Sequence, residues 1–168
     1  MITLTNVGGA DQAMSYFAAD NYYTQDQGVE NSAWFGEGAK MLSLSGEVDP
    51  NEFKALLQGK IEGQELGKWV KNPETGEKEK EHRAGNDITF SAPKSVSLLA
   101  EVAGRVEVRQ AHEEAVKSTL TYIEKELAAT REMRNGVVET SQTGNLIVGM
   151  FRHNTSRDLD PQTHTHAV

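Results

Sequence analysis

The stretch Phe151-Arg152-His153-Asn154-Thr155-Ser156-Arg157-Asp158-Leu159-Asp160-Pro161-Gln162-Thr163-His164-Thr165-His166 decides how the rest of the chain is read. Successive side chains of a strand point to opposite faces, so His164 and His166 share one face and Thr165 and Ala167 the other. The apolar run from Leu146 to His153 alternates too, with Ile147, Gly149, Phe151 and His153 of one parity. Asp160-Pro161 reads as the turn between two strands, and a short connection brings His153 beside the other two histidines. Three imidazoles suit a divalent metal and leave coordination positions open for water or substrate. Open positions point to catalysis more than to bracing. Three surface histidines are the plainer alternative, and the strand alternation around them speaks against it.

Outward from that hairpin, the elements are mixed. Ile2 and Leu4 alternate with Thr3 and Thr5, which predicts a strand over residues 2–7. Gly8-Gly9 breaks it, and Asp11 is placed to cap a helix running through Met14, Tyr16 and Phe17. Trp34, Phe35, Leu42 and Leu44, set among glycines, suggest short packed segments over 32–48. Asp49-Pro50-Asn51-Glu52 predicts a helix start, with a cap, proline at the first helical position and glutamate set for a capping box. Phe53, Leu56 and Leu57 would be its buried face. Lys71 to Arg83 is charged around a Pro-Glu-Thr-Gly turn and reads as a solvated hairpin tip. Asp87-Ile88-Thr89-Phe90-Ser91 is strand-like, with Asp87, Thr89 and Ser91 on one face. Pro93 to Leu99 looks like a helix entry. The clearest helix is expected over 106–131, with Val108, Ala115, Val116, Leu120, Ile123 and Leu127 inward and Glu113 and Glu114 on its wet face. Val137–Thr140 and Leu146–His153 read as strands separated by a polar turn. The order is α+β.

A chain of 168 residues fits one domain, and 25% charged with 37% apolar residues is globular composition. The absence of cysteine excludes disulfides, thiolate nucleophiles and cysteine-type zinc sites. Neither a signal peptide nor a bilayer-spanning apolar run is visible, so a cytoplasmic protein is expected, without membrane insertion. A formal charge of −8 argues against a broad electrostatic surface for nucleic acid. A role on DNA would rest on local basic residues, a metal, or further parts of a larger protein.

The histidine segment resembles the metal motif of conjugative relaxases, the MobF class of HUH endonucleases related to the relaxase-helicases of plasmids. Ser15-Tyr16-Phe17 followed by Asn21-Tyr22-Tyr23 is similar to that family's paired tyrosine clusters. Asp87-Ile88-Thr89-Phe90-Ser91-Ala92-Pro93-Lys94-Ser95-Val96-Ser97 is similar to its central aspartate motif. Trp34 to Ala39 and Leu44 to Asp49 also read as family text. Three motifs in the right order span nearly the whole chain.

The resemblance implies a central antiparallel sheet flanked by helices, the palm-like (ferredoxin-like) HUH relaxase fold. It implies site-specific cleavage of one DNA strand at a plasmid origin of transfer by tyrosine attack on a phosphodiester. The tyrosine keeps the 5′-phosphate and a 3′-hydroxyl leaves, so the strand can be rejoined later. A phenol near its usual pKa of about 10 is a weak nucleophile, hence a polarised phosphate is needed. The implied nucleophile is Tyr16, with Phe17 where many relatives carry a second tyrosine. Tyr22 would serve a second transfer, and Tyr23 ranks behind it. Asp87 would orient a metal-bound histidine or take the tyrosine's proton. His153, His164 and His166 would hold a divalent ion, Mg²⁺ or Mn²⁺ first, Zn²⁺ or Ni²⁺ next. Lys94, Arg152 and Arg157 are candidates for phosphate contacts. His82 and His112 are set aside as ligands. Trp34 and Trp69 are expected in core packing before base stacking. The implied partners are single-stranded origin-of-transfer DNA, accessory relaxosome proteins and a coupling protein, in the bacterial cytoplasm.

Family relaxase domains are longer than this chain, so residues 1–168 are expected to form the N-terminal portion of one, with its remainder and a helicase outside it. No Gly-x-x-x-x-Gly-Lys-Ser/Thr phosphate loop occurs. Three rivals stay open: a non-catalytic single-stranded DNA-binding module with a structural metal, a three-histidine zinc hydrolase of small substrates, and a replication-initiator HUH nuclease. The tyrosines count against the hydrolase. Their position ahead of the histidines counts against the initiator.

Overall fold

The computed structural model describes residues 1–10, 32–71, 76–156 and 158–168. Five strands form the central antiparallel sheet: β1 (Ile2–Val7), β2 (Ser32–Phe35), β7 (Gly85–Ser91), β10 (Val148–Thr155) and β11 (Pro161–Ala167), in the order β1-β7-β11-β10-β2. The histidine-bearing strands are therefore internal, and the polar-alternating β1 lies at one edge. Three two-stranded hairpins stand apart from this sheet: β3 (Lys60–Ile61) with β4 (Gln64–Glu65), β5 (Lys68–Lys71) with β6 (Lys78–Glu81), and β8 (Ala129–Arg134) with β9 (Val137–Gln142).

Each face of the sheet has its own core, because the strands alternate. On one face Phe90, Val148, Met150 and Ala167 pack under Val116 and Leu120 of α4 (Val106–Tyr122), which the short helix α3 (Lys94–Ser97) precedes. On the other, Phe151 packs with Val48 and with Phe53 and Leu57 of α2 (Pro50–Leu57). Helix α2 begins as its sequence predicts: Pro50 opens it and the Asp49 carboxylate accepts the Asn51 and Glu52 amides, both at 2.9 Å. Phe53 reaches the sheet over Gly149, where a Cβ would meet the Phe53 ring at 3.1 Å and Phe151 at 3.2 Å. Glycine is the residue that permits this close approach. A short helix, α1 (Glu37–Met41), follows β2, and buried Glu124 ties it to the sheet by accepting the Glu37 and Leu146 amides at 2.8 and 2.9 Å.

Some expectations need correction. The helix expected over 106–131 ends as α4 at Tyr122, widens into a π turn over Ile123–Leu127, and gives way to β8. Residues 129–131 pair with Gln142, Ser141 and Thr140, so ladder bonds with β9 replace further helical ones. Ala115 is exposed and Leu127 is 60% exposed, since the buried stripe follows Val116, Leu120, Ile123 and Glu124 instead. The strand expected over 137–140 runs on as β9 to Gln142 and pairs with β8, while β10 pairs with β2 and β11. The charged hairpin is present as β5 and β6, with Lys71 opposite Lys78; residues 72–75 of its turn lie outside the described residues.

Candidate metal centre

The β10–β11 pairing sets His153 directly opposite His164, and the β11–β7 pairing sets His164 opposite Ser91 and His166 opposite Thr89. One face of three adjacent strands thus carries His153, His164, His166 and Thr89, with Asp87 two residues along β7 from Thr89. The imidazole centres form a nearly equilateral triangle: 5.0 Å for His153–His164, 5.4 Å for His153–His166 and 5.2 Å for His164–His166. Imidazoles bound at about 2.1 Å to one tetrahedral ion hold their ring centres about 5 Å apart. The spacing fits. Among the described residues no three donors already stand at coordination geometry about one point. The 21° stack of His153 on His164 is the contact that has to turn for their nitrogens to converge.

Hydrogen bonds choose which nitrogens face that space. The Nδ1 of His166 lies 2.8 Å from Asp87 Oδ2, which assigns the proton to Nδ1 and leaves Nε2 as a lone-pair donor. Thr89 Oγ1 sits between them, 3.3 Å from the imidazole and 3.4 Å from the carboxylate. His164 Nδ1 lies 3.0 Å from the Gln162 carbonyl, with the same consequence for its Nε2. His153 is buried, and burial, then the charges of His164 and His166, pushes its pKa down to about 3. It is therefore neutral at physiological pH, the state a metal requires of its ligand. Among the described residues, the buried side-chain atoms without a hydrogen-bond partner are His153 Nε2 and Asp87 Oδ1. Buried polar atoms are rarely left unpaired, and both of these sit at one site.

The remaining candidates are distributed differently. Tyr16, Tyr22, Tyr23 and Arg157 lie outside the described residues. The two flanks of the tyrosine segment do not: Ala10 packs against the Phe53–Phe151 core, and Ser32 pairs with Phe151, the cross-strand partner of His166. Lys94 holds the β10–β11 turn, with its ammonium 3.3 Å from the Pro161 carbonyl and 3.6 Å from Asp160. Arg152 has the opposite parity to His153 and pairs with Glu113 of α4 at 2.9 Å, on the helix face of the sheet. Glu113 is accordingly not on the wet face of α4: it is half-buried between Arg152 and Lys117. His112 also turns inward, its Nε2 3.5 Å from Thr165 Oγ1, and burial, then the charge of His164, lowers its pKa. Trp34 packs edge-on against Phe53 at 6.2 Å, but Trp69 on β5 is 66% exposed, with Lys80 5.5 Å above its ring. Thr89 and the Gln162 carbonyl were not singled out from sequence. Thr89 was within reach, because Asp87, Thr89 and Ser91 share a strand face.

Residues 10–168 match the family model of the TrwC relaxase. The chain belongs to the TrwC relaxase family. It is 41% identical over 170 residues to the multifunctional conjugation protein TraI of Escherichia coli strain K12, taking in 100% of this chain and 9% of TraI. It is also similar to the conjugative relaxase TrwC in complex with oriT DNA in its metal-bound structure. There the TM-score is 0.83 at 41% identity, over 100% of this chain and 56% of that one. A copper-bound structure of TrwC with oriT DNA gives 0.80 at 43% identity, over 100% and 56%. The α+β architecture with a five-stranded antiparallel sheet is thus the HUH fold of these relaxases. This relaxase-family chain spans 56% of the matched TrwC chain and 9% of TraI. No helix among its described residues is long and apolar enough to cross a membrane.

Proposed function

We propose that this protein nicks one strand of DNA at a plasmid origin of transfer, through metal-assisted attack of a tyrosine on a phosphodiester, to start conjugative transfer. The observation that carries the reading is the cluster of three imidazoles and the Asp87 carboxylate on one face of the sheet, where the buried polar atoms left unpaired among the described residues, His153 Nε2 and Asp87 Oδ1, both lie. Family membership and the oriT DNA bound to the TrwC relatives support the substrate class.

His153, His164 and His166 would hold the ion through their Nε2 atoms. When bound, a divalent ion supplies Lewis acidity to the non-bridging oxygens of the scissile phosphate. Mg²⁺ or Mn²⁺ is the proposed working ion, with Zn²⁺ and Ni²⁺ as alternatives; imidazole donors favour Mn²⁺ over Mg²⁺ and bind Zn²⁺ and Ni²⁺ more tightly still. Asp87 orients His166 through Nδ1 and raises its basicity, a role its 2.8 Å hydrogen bond supports over that of a proton acceptor. Tyr16 attacks the phosphorus as its phenolic proton passes to solvent, the P–O bond to the 3′-oxygen breaks, that oxygen takes a proton from solvent and leaves as hydroxyl, and the 5′-phosphate stays on the phenol. Tyr22 serves the second transfer, with Tyr23 in reserve. One flank of residues 11–31, Ala10, packs against the core cluster that holds Phe151, and the other, Ser32, pairs with Phe151 itself beside His166, which supports the approach of that segment to the site.

Lys94 and Arg157 border the site along the chain and are proposed for phosphate contacts, and exposed Trp69 with Lys80 for stacking on DNA. Residues 1–168 are read as the N-terminal portion of a longer relaxase domain, supported by their 56% share of TrwC. A bacterial cytoplasmic setting with relaxosome and coupling proteins follows from this function.

The test incubates the protein and Mn²⁺ with labelled single-stranded oligonucleotides tiled across the cognate origin of transfer. A covalent protein–DNA product is expected, lost in Tyr16→Phe and in His166→Ala. Undiminished adduct in Tyr16→Phe moves the nucleophile to Tyr22, and adduct insensitive to both tyrosines removes the mechanism.

A further inference from the structure

Thr163 immediately precedes the first histidine of β11, and each of its polar groups is held from the neighbouring segment. Its amide donates to Ser97 Oγ at 3.0 Å, its carbonyl accepts the Ala92 amide at 3.0 Å, and its hydroxyl donates to Glu101 Oε1 at 2.8 Å. Ser97 is fully buried and spends its own proton on the Pro93 carbonyl at 3.2 Å. Glu101, nearly buried, is held in turn by Arg109 of α4 at 3.2 Å. These anchors come from the short helix Lys94–Ser97 and the π turn Leu98–Val102 that follows it. They act just beyond the point where β7 ends, since the β7–β11 ladder stops at Ser91 opposite His164.

A strand's side chains alternate with a period of two, so a slip of one residue would turn both histidines to the helix face. Ladder bonds alone do not choose between registers of a Thr-His-Thr-His repeat. The Thr163 anchor does, because a one-residue slip would bring Gln162 or His164 to that position, and neither carries a hydroxyl to donate to Glu101. The Gln162 carbonyl that sets the His164 tautomer is one peptide away. We propose that Ser97 and Glu101 are positioning residues of the three-histidine site, acting through Thr163 to fix the register and orientation of His164. The inference rests on the metal reading above and adds to it two residues that touch no ligand themselves.

Co²⁺ is the probe, titrated into the purified metal-free protein and followed by the visible absorption of the bound ion. Ser97→Ala and Glu101→Leu are expected to weaken Co²⁺ binding about tenfold and to alter the spectrum, as the loss of outer contacts to ligands does elsewhere. Glu101→Gln keeps an oxygen for the Thr163 hydroxyl and is expected to restore both. Val116→Ala, a core truncation away from Thr163, should lower the thermal midpoint while leaving affinity and spectrum unchanged. Wild-type affinity and spectrum in folded Glu101→Leu would overturn the proposal, as would equal weakening in Val116→Ala. A wild-type protein that binds no Co²⁺ would instead bring down the metal reading, and this inference with it.

Discussion

The hairpins β10–β11 and β8–β9 are built from strands of similar length in the same antiparallel pairing, yet only one carries chemistry. β10 and β11 are flanked by β2 and β7, covered on both faces, and largely buried. Among the described residues β8 and β9 pair with each other alone; Met133 and Val138 face one another at 75% and 57% exposure. Burial makes the difference between two hairpins of the same antiparallel pairing. In the sheet, neighbours on both sides fix each residue, water is excluded, and a histidine such as His153 stays neutral. In the outer hairpin, braced at its base by the Gln142 side-chain amide donating to the Glu126 carbonyl at 3.0 Å, side chains such as Met133 and Val138 remain solvated, so a precise array of donors there would lack rigid surroundings.

Substitutions in the two regions should have unequal effects. Leu120→Ala empties the packing beneath β10 and β11, and a loss of about 2–5 kcal/mol is expected in denaturant unfolding. A loss near zero would mean that α4 does not clamp the histidine strands. Asp87→Asn should weaken divalent-ion binding about 10–100-fold with little change in fold, measured by titration calorimetry. An unchanged affinity would free His166 from its carboxylate.

A smaller effect is expected at Glu113. Burial is the strongest single influence and raises its pKa, but the Lys117 hydrogen bond and the charges of Arg152 and Lys117 together outweigh it, leaving the carboxyl below 4.5. A depressed native pKa means the unfolded chain binds more protons in that window. The stabilisation is therefore complete above pH 4.5 and lost as pH falls through the native value. Relative to Glu113→Gln, the wild type should lose an advantage of under about 1 kcal/mol on acidification, seen as converging thermal midpoints. Least of all, Met133→Ser in the outer hairpin should shift stability by no more than about 0.5 kcal/mol. A larger loss would show that this hairpin is packed rather than solvated.

Much of the site was legible because strand alternation is a local rule. The parity of Phe151 and His153, and of His164 and His166, predicts a shared face, and the Asp160-Pro161 turn predicts their meeting; both hold in the β10–β11 register. The same parity groups Asp87 with Thr89. Asp49-Pro50 marks the start of α2 for an equally local reason, a cap and a proline beside the amides they serve. What failed was non-local. Helical periodicity continued through Leu127, but partners in β9 drew residues 129–131 into a ladder. Arg152 read as a site cation until Glu113, 39 residues earlier, proved to hold it on the far face. Trp69 read as core, yet on its hairpin it is left largely exposed, with the Lys80 ammonium over its ring.

Sequence by itself determined the donor types, their parity, the caps and turns, and the family, because each depends on residues within a few positions or on motifs kept in order. Tertiary structure decided which nitrogen of His166 faces the common space, which carboxylate oxygen orients it, and where β11 is anchored. Those choices rest on contacts between residues 62 to 79 positions apart, such as Thr163 with Glu101 and His166 with Asp87. Hydrogen bonds made across the sheet have no signature along the chain, and burial supplies the desolvation that makes them selective.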